Sequence, residues 1–166
     1  MLHSYLVALG SNRRGRHGDP RAEVRAALEA IGARRASPIF ASAPLGPSNR
    51  AYANAVALIE HVADEPPALL ARLKRIERDF GRRRGRRWGA RVIDLDIIGW
   101  SGGVWASPGL VIPHVSMRER DFVLRPLAAL MPRWRDPVTG LSARQLHARL
   151  TRSRALPNRA LAGAGP

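Results

Sequence analysis

Apolar residues follow two different spacings along this chain. Where they run together or alternate with polar residues, they predict β-strands. These strands cover residues 4–10, 38–42, 52–62 and 91–100. Where apolar residues recur three or four positions apart, they predict two helices. The first begins at Asp19 and Pro20 and ends at Gly32, and the second begins near Asp64 and ends at Gly81.

The sequence after residue 100 predicts a hairpin and two more helices. A Ser-Gly-Gly turn signal at 101–103 precedes a short return strand at 104–106, and helices follow at 122–130 and 142–150. The whole order predicts an α+β fold, a ferredoxin-like βαββαβ sheet with helices packed on one face, plus a C-terminal hairpin and helices. We expect one domain over 1–166, with a mobile tail at about 157–166.

Composition limits the kinds of protein that this chain can be. It has 166 residues and no cysteine, which excludes disulfides, thiolate metal sites and a cysteine nucleophile. No apolar run approaches the ~20 residues that a membrane-spanning helix needs. The N-terminal residues lack the cleavage pattern of a signal peptide. We therefore expect a cytoplasmic protein, monomeric and without a membrane partner.

The formal net charge of +15 indicates either a polyanionic partner or a compositional bias. Only Lys74 of the 28 basic residues is a lysine, so the charge is almost entirely arginine. Nucleotide phosphates and nucleic acid are both polyanions that arginine binds. Total charge does not separate these partners, and the positions of individual arginines must do so.

Two carboxylates stand one residue apart in the predicted fourth strand. Residues i and i+2 of a strand project from the same face, so Asp94 and Asp96 point together while Leu95 points to the other side. Two such carboxylates repel each other unless a cation lies between them. Arginine side chains could neutralise them as ion pairs, or a hard divalent cation such as Mg²⁺ could bind them. These residues alone leave both interpretations open.

A basic, glycine-rich segment directly precedes the two aspartates. Residues 81–91 contain six arginines and three glycines, which is typical of a mobile loop that binds phosphate oxygens. The alternative is a solvated run of charge without a function. A basic loop beside a metal-binding carboxylate pair is what phosphoryl transfer requires, so the combination favours that reaction class.

The segment "RWGARVIDLDII" at 87–98 resembles the signature of the 6-hydroxymethyl-7,8-dihydropterin pyrophosphokinase family. The segments "ALGSN", "PLGP", "YANAVALIE" and "IPHVSMRERDFVLRPLAAL" also resemble that family, in its order and at its spacing. The resemblance implies a ferredoxin-like fold and transfer of a pyrophosphoryl group from ATP to the pterin hydroxymethyl group. The products would be AMP and the pterin diphosphate, and two Mg²⁺ ions would be used.

The resemblance also implies roles for individual residues. Asp94 and Asp96 match the metal-binding aspartates, and with Arg82 and Arg91 they form the expected catalytic set. The residues that match the ATP-binding positions are Arg82, Arg84, Trp88, Arg91, His114 and Arg120. The residues that match the pterin-binding positions are Leu45, Gly46, Tyr52, Asn54 and Phe122.

Some positions depart from the family pattern, and one rival function stays open. Lys74, Val111 and Val115 stand where other members can carry nucleotide-contacting or polar residues, which bears on nucleotide affinity. The rival is a basic ferredoxin-like module that binds nucleic acid, since RNA-recognition domains have a related fold. The chain lacks the aromatic RNA-binding signature of those domains, so we expect no specific nucleic-acid partner.

Overall fold

A computed structural model describes residues 1–42, 51–81 and 92–152 of this chain. The strands are β1 (His3–Ser11), β2 (Arg35–Ala36), β3 (Phe40–Ser42), β4 (Tyr52–Val62), β5 (Asp94–Trp100), β6 (Trp105–Ser107) and β7 (Leu110–Ile112). The helices are α1 (Pro20–Ala30), α2 (Pro66–Gly81), α3 (Asp121–Leu130) and α4 (Ala143–Thr151), with a 3₁₀ turn at Met117–Glu119.

The first five strands form one antiparallel sheet in the order β2-β4-β1-β5, and β3 also pairs with β4. β1 lies in the interior of this sheet, as its continuous apolar sequence predicts. The strand predicted at 38–42 is present in shorter form as β3, and a second short strand, β2, precedes it. Pro38 lies between them, and proline cannot donate a hydrogen bond to a sheet.

Helices cover both faces of the sheet. α1 and α2 pack on one face together with Leu9 and Leu95. α3 and α4 pack on the opposite face together with Leu6, Val56 and Ile98. The alternation of the strands explains both cores, since neighbouring residues of β5 such as Ile97 and Ile98 enter different clusters. The sequence predicted one helical face, and the position of α3 and α4 on the other is a new feature.

The helix ends follow the signals read from the sequence. Asp19 Oδ1 accepts a hydrogen bond of 2.9 Å from the N–H of Ala22 and caps α1, and Pro20 is the first residue of this helix. At the start of α4, Ser142 and Gln145 exchange hydrogen bonds of 2.9 and 3.1 Å in a capping box. The helix predicted at 122–130 is confirmed as α3.

The predicted hairpin between the fourth strand and residues 104–106 is wrong. β6 pairs with β7 and forms a separate two-stranded sheet. Its turn is Pro108-Gly109, with Gly109 at a φ of 76° that favours glycine, and Ser107 pairs with Leu110 across it. The Pro-Gly turn closes this hairpin, whereas the Ser-Gly-Gly segment upstream forms a turn in which the Gly103 N–H donates a 3.0 Å hydrogen bond to the Trp100 carbonyl.

Candidate active site

The candidate site is a cleft of about 660 Å³ at one end of the sheet, on the face that α3 and α4 cover. Its floor comes from β1, β4 and β5, and its wall from the N-terminus of α3. Six of the residues predicted from the sequence line it. They are Tyr52, Asn54, Asp94, Asp96, Arg120 and Phe122. Segments far apart in the chain thus bring residues of the predicted metal-, ATP- and pterin-binding sets into one cleft.

The two aspartates lie on the cleft side of β5, as their spacing predicts. Leu95, between them, is fully buried on the opposite face. In the strand register Asp94 lies opposite Gly10, and Asp96 lies opposite Ala8. Because these β1 partners are small, the space above the carboxylates stays open to the cleft. Asp94 is exposed and Asp96 is half-buried.

This carboxylate pair fits a magnesium ion by its chemistry. Mg²⁺ binds through one or two carboxylates and takes its remaining oxygens from water and phosphate. Within the described ranges no lysine or arginine forms an ion pair with Asp96, and no group of three or more His, Asp or Glu side chains clusters closely enough to enclose a metal. A site of two carboxylates would leave the other coordination positions of such an ion to water and phosphate oxygens.

Glu77 of α2 fixes the backbone between the two aspartates. Its Oε1 accepts a hydrogen bond of 2.8 Å from the N–H of Leu95, and Lys74 lies 3.2 Å from its Oε2. Glu77 is 7% exposed, so the carboxylate sits inside the interface between α2 and β5. The helix on the far face of the sheet thereby holds the strand segment that carries both carboxylates.

Asn54 is held at the cleft floor by two neighbouring strands. Its Nδ2 donates a hydrogen bond of 2.9 Å to Ser42 Oγ. Gly10 lies opposite it on β1, and a Cβ at Gly10 would lie 3.1 Å from Asn54 Oδ1. Only a glycine leaves this amide undisturbed. Ser42 was not predicted from the sequence, although its place at the end of a predicted strand, next to the "PLGP" segment, was a signal for it.

The N-terminus of α3 supplies the wall of the cleft. Arg120 precedes the helix, and its guanidinium carbon lies 5.6 Å from the centre of the Phe122 ring, a cation–π contact that orients both side chains. Glu119 and Asp121 flank Arg120 and also line the cleft. Asp121 Oδ1 lies 3.0 Å from His147 Nε2 of α4. Neither Glu119 nor Asp121 was predicted from the sequence as a site residue.

His114 lies outside this cleft, on the segment that leads to it. Its Nδ1 accepts a hydrogen bond of 3.2 Å from the N–H of Ser116, which leaves Nε2 as the ring nitrogen able to donate. Val111 and Val115, two of the three departures noted from the sequence, are both exposed. Six predicted site residues lie outside the described residues. They are Leu45, Gly46, Arg82, Arg84, Trp88 and Arg91.

Sequence comparison relates the chain to one family of enzymes. Residues 6–132 match the family model described as 7,8-dihydro-6-hydroxymethylpterin-pyrophosphokinase. A 2-amino-4-hydroxy-6-hydroxymethyldihydropteridine pyrophosphokinase of Pseudomonas aeruginosa is 39% identical over 145 residues, covering 82% of this chain and 86% of that protein. The enzyme of the same name from Haemophilus influenzae is 41% identical over 134 residues, covering 76% of this chain and 80% of its own.

Structural comparison gives the same relationship at the level of the fold. The chain superposes on Plasmodium falciparum HPPK-DHPS with a TM-score of 0.71 at 12% sequence identity, covering 90% of this chain. It spans 43% of that longer chain. The "Folate synthesis bifunctional protein, mitochondrial" of Arabidopsis thaliana is 36% identical over 130 residues, covering 78% of this chain and 24% of that protein.

Proposed function

The chain belongs to the 7,8-dihydro-6-hydroxymethylpterin-pyrophosphokinase family, and from that premise we propose which of its residues carry the reaction. The chain is an ATP-dependent diphosphokinase of folate biosynthesis. It transfers a pyrophosphoryl group from ATP to the hydroxymethyl group of 6-hydroxymethyl-7,8-dihydropterin, and the products are AMP and the pterin diphosphate. The observation that carries the residue assignment is the meeting of six predicted residues in one cleft.

The pterin occupies the part of the cleft nearest to β4. Tyr52 and Phe122 stack on the two sides of its flat ring, because aromatic side chains pack favourably against another aromatic ring. Asn54 forms a hydrogen bond with the polar edge of the ring. The bond to Ser42 and the close approach of Gly10 fix its amide for this contact. Leu45 and Gly46 are the remaining residues of the pterin-binding set that the resemblance implies.

The phosphates of ATP lie between the aspartates of β5 and the N-terminus of α3. Asp94 and Asp96 hold Mg²⁺, and two ions are used. When bound, the ions neutralise charge on the phosphate oxygens. Arg120 contacts the phosphates from the cleft wall, and His114 donates to them from Nε2. The family resemblance assigns further ATP contacts to Arg82, Arg84, Trp88 and Arg91.

The reaction is an in-line displacement at the β-phosphorus of ATP. A bond forms between the pterin hydroxymethyl oxygen and that phosphorus, and the bond to the oxygen bridging the α- and β-phosphates breaks. That oxygen leaves with AMP, and the hydroxyl proton is released. The protein contributes alignment of the two substrates and arginine charge against the transferred phosphates, and Arg82 and Arg91 are the arginines of the expected catalytic set.

Several broader features belong to the same proposal. The strand order β2-β4-β1-β5, all antiparallel, supports a ferredoxin-like sheet if β2 and β3 count as one strand. We assign the chain as a single-domain, monomeric, cytoplasmic enzyme. Among the described residues no helix is both long and apolar enough to span a bilayer. The alternative of a nucleic-acid-binding module receives no support from the relatives.

A nucleotide product assay tests the proposal. The protein is mixed with Mg²⁺, ATP and 6-hydroxymethyl-7,8-dihydropterin, and AMP is separated from ADP. Pterin-dependent AMP without ADP is expected. ADP in place of AMP would mean transfer of a single phosphoryl group. Absence of both products from a folded sample would contradict the assignment.

A further inference from the structure

Asp136 is a fully buried carboxylate outside the cleft, in the loop between α3 and α4. Its Oδ2 and Oδ1 accept hydrogen bonds of 2.6 and 2.8 Å from the Nε and Nη2 of Arg118, a bidentate pair. The hydroxyl of Thr139 and the N–H of Val138 also donate to it, at 2.8 and 3.0 Å. A buried carboxylate with four donors has one fixed position, and so has the guanidinium bound to it.

Arg118 lies in the segment that carries two proposed phosphate-contacting residues. The N–H of Met117 donates to the carbonyl of His114, and the N–H of Arg120 donates to the carbonyl of Met117. Met117 is fully buried in the core under α3 and α4. His114, Arg118 and Arg120 therefore belong to one hydrogen-bonded unit, residues 114–120, whose charged anchor is Asp136.

The Arg118 side chain reaches Asp136 outside the cleft, while Arg120 lines the cleft. The bonds that join Arg120 to Met117 and Met117 to His114 are long, at 3.3 and 3.2 Å. Such bonds hold a 3₁₀ turn weakly, because their geometry is poorer than in an α-helix. The short bidentate pair at Arg118 thus constrains the turn more than the turn's own hydrogen bonds do. It acts together with the bonds of 3.1 and 3.0 Å that the Arg120 carbonyl accepts from the N–H groups of Val123 and Leu124 in α3.

We propose that Asp136 is a positioning residue for pyrophosphoryl transfer. Through Arg118 it fixes residues 114–120, and so places His114 and Arg120 against the phosphates. This inference rests on the proposed function. Neither Asp136 nor Arg118 touches substrate. Loss of the pair lets the turn shift, and displacement of a positioning group by about 1 Å can cost roughly 100-fold in rate.

Most of the pterin side of the cleft is held by other elements, and Phe122, which Arg120 contacts, is also held by its place in α3. Tyr52 and Asn54 are on β4, and Phe122 is in α3, where its neighbours Val123 and Leu124 are buried in the core. Breaking the pair at Asp136 should therefore slow transfer much more than it weakens pterin binding. A general loss of stability would instead lower the transfer rate and the amount of bound pterin together, because it reduces only the folded fraction.

Three variants test this inference in the full-length protein. Asp136→Asn removes the charge of the anchor, Arg118→Lys keeps the charge but removes the bidentate fork, and Thr139→Val removes a neutral donor to the same carboxylate. We measure the single-turnover rate of AMP formation at saturating ATP and Mg²⁺, the pterin affinity by fluorescence titration, and the folded fraction by circular dichroism.

The expected result is a fall in rate of roughly 10- to 100-fold for Asp136→Asn, after correction for the folded fraction. Arg118→Lys should lie between this variant and the wild type, and Thr139→Val should keep the wild-type rate. Pterin affinity should change by less than about threefold in all three. This split between rate and affinity is a readout that a merely structural role would not give.

Two results would overturn the inference. The first is an unchanged corrected rate in Asp136→Asn and Arg118→Lys while the wild type makes AMP. The second is a rate in Thr139→Val as low as in the other two, which would mean that the loop rather than the pair matters. If Asp136→Asn does not fold, Arg118→Lys decides between these results, because its side chain is partly exposed. A wild type that makes no pterin-dependent AMP would instead overturn the proposed function itself.

Discussion

Glu77 Oε1 accepts a 2.8 Å hydrogen bond from the backbone N–H of Leu95, the residue between the two cleft aspartates. Leu95 is fully buried against the α1 and α2 helices, so this contact fixes β5 from the side opposite the cleft. The backbone that carries Asp94 and Asp96 is therefore held in place against α2. Glu77 does not line the cleft, but its bond to Leu95 holds the strand segment that carries the proposed metal ligands.

Replacing Glu77 by alanine should therefore affect both stability and activity. The buried N–H of Leu95 loses its acceptor, which should lower the free energy of unfolding by about 1–3 kcal/mol. Turnover should fall and need more Mg²⁺ for half-saturation, because the aspartates lose their fixed backbone. Urea denaturation and a Mg²⁺ titration of AMP formation measure the two effects.

Glu77→Gln is the matched control for this change, since its amide oxygen can still accept from Leu95. It should retain most of the stability that the alanine variant loses. Equal Mg²⁺ requirements in Glu77→Ala and the wild type would show that the contact does not position the aspartates.

The site was predictable from the sequence where it depends on local geometry. Strand alternation alone places Asp94 and Asp96 on one face, and the described cleft contains both. The pterin side of the cleft was predicted from the family resemblance of the segments around Tyr52 and Phe122. The strand pairing of β6 was not predictable from its own residues, because the competing Pro-Gly turn decides it.

Long-range contacts explain what the sequence analysis missed. The position of α3 and α4 over one sheet face follows from Leu6, Val56 and Ile98, which come from three different strands. Ser42 enters the site only because β3 pairs with β4 and brings it to Asn54. The spacing of residues along the chain does not predict such contacts, because they depend on the strand register.

Asp96→Ala should nearly abolish turnover while leaving the fold intact. Loss of a metal ligand removes several kcal/mol of charge stabilisation, which corresponds to roughly 100-fold or more in rate. The stability should hold because Asp96 is half-buried beside Ala8 and forms no ion pair among the described residues. AMP formation and thermal denaturation check the two parts.

Glu119→Gln provides the comparison, since it neutralises an acid that lines the same cleft outside the strand pair. It should keep most of the turnover. A near-normal rate in Asp96→Ala would contradict the metal assignment, and an equal loss in both variants would indicate a general effect of cleft charge.

Asn54→Ala should weaken pterin binding and leave nucleotide binding unchanged. The side chain is 4% exposed and fixed on the cleft floor, so its loss removes the polar contact to the pterin edge. A fall in pterin affinity of roughly 10-fold is expected for loss of a fixed hydrogen bond. Titrations with the pterin and with an ATP analogue measure the two affinities separately.

Ser42→Ala tests the source of this effect. It removes the partner of Asn54 Nδ2 but keeps the amide, so pterin affinity should fall by less than in Asn54→Ala. If both variants bind the pterin as tightly as the wild type does, Asn54 does not form a hydrogen bond with the pterin ring.

Asp136 should make the stability of the protein depend on acidic pH. Burial alone would raise the pKa of this carboxyl, but hydrogen bonds from Arg118, Thr139 and the N–H of Val138, together with the Arg118 charge, lower it from 3.8 to about 2. A group whose pKa is lower in the folded state stabilises that state above its unfolded pKa. The stabilisation is lost as the pH falls from about 4 through about 2.

The measurement is the difference in free energy of unfolding between the wild type and Asp136→Asn, followed from pH 6 to pH 2 by urea denaturation. This difference should shrink by about 2 kcal/mol over the acidic range, since each pKa unit corresponds to about 1.4 kcal/mol. Asp79→Asn, at an exposed position of α2, controls for the general effect of removing one negative charge. The same pH dependence in both variants would show that repulsion among the basic residues, rather than the Arg118 pair, governs acid unfolding.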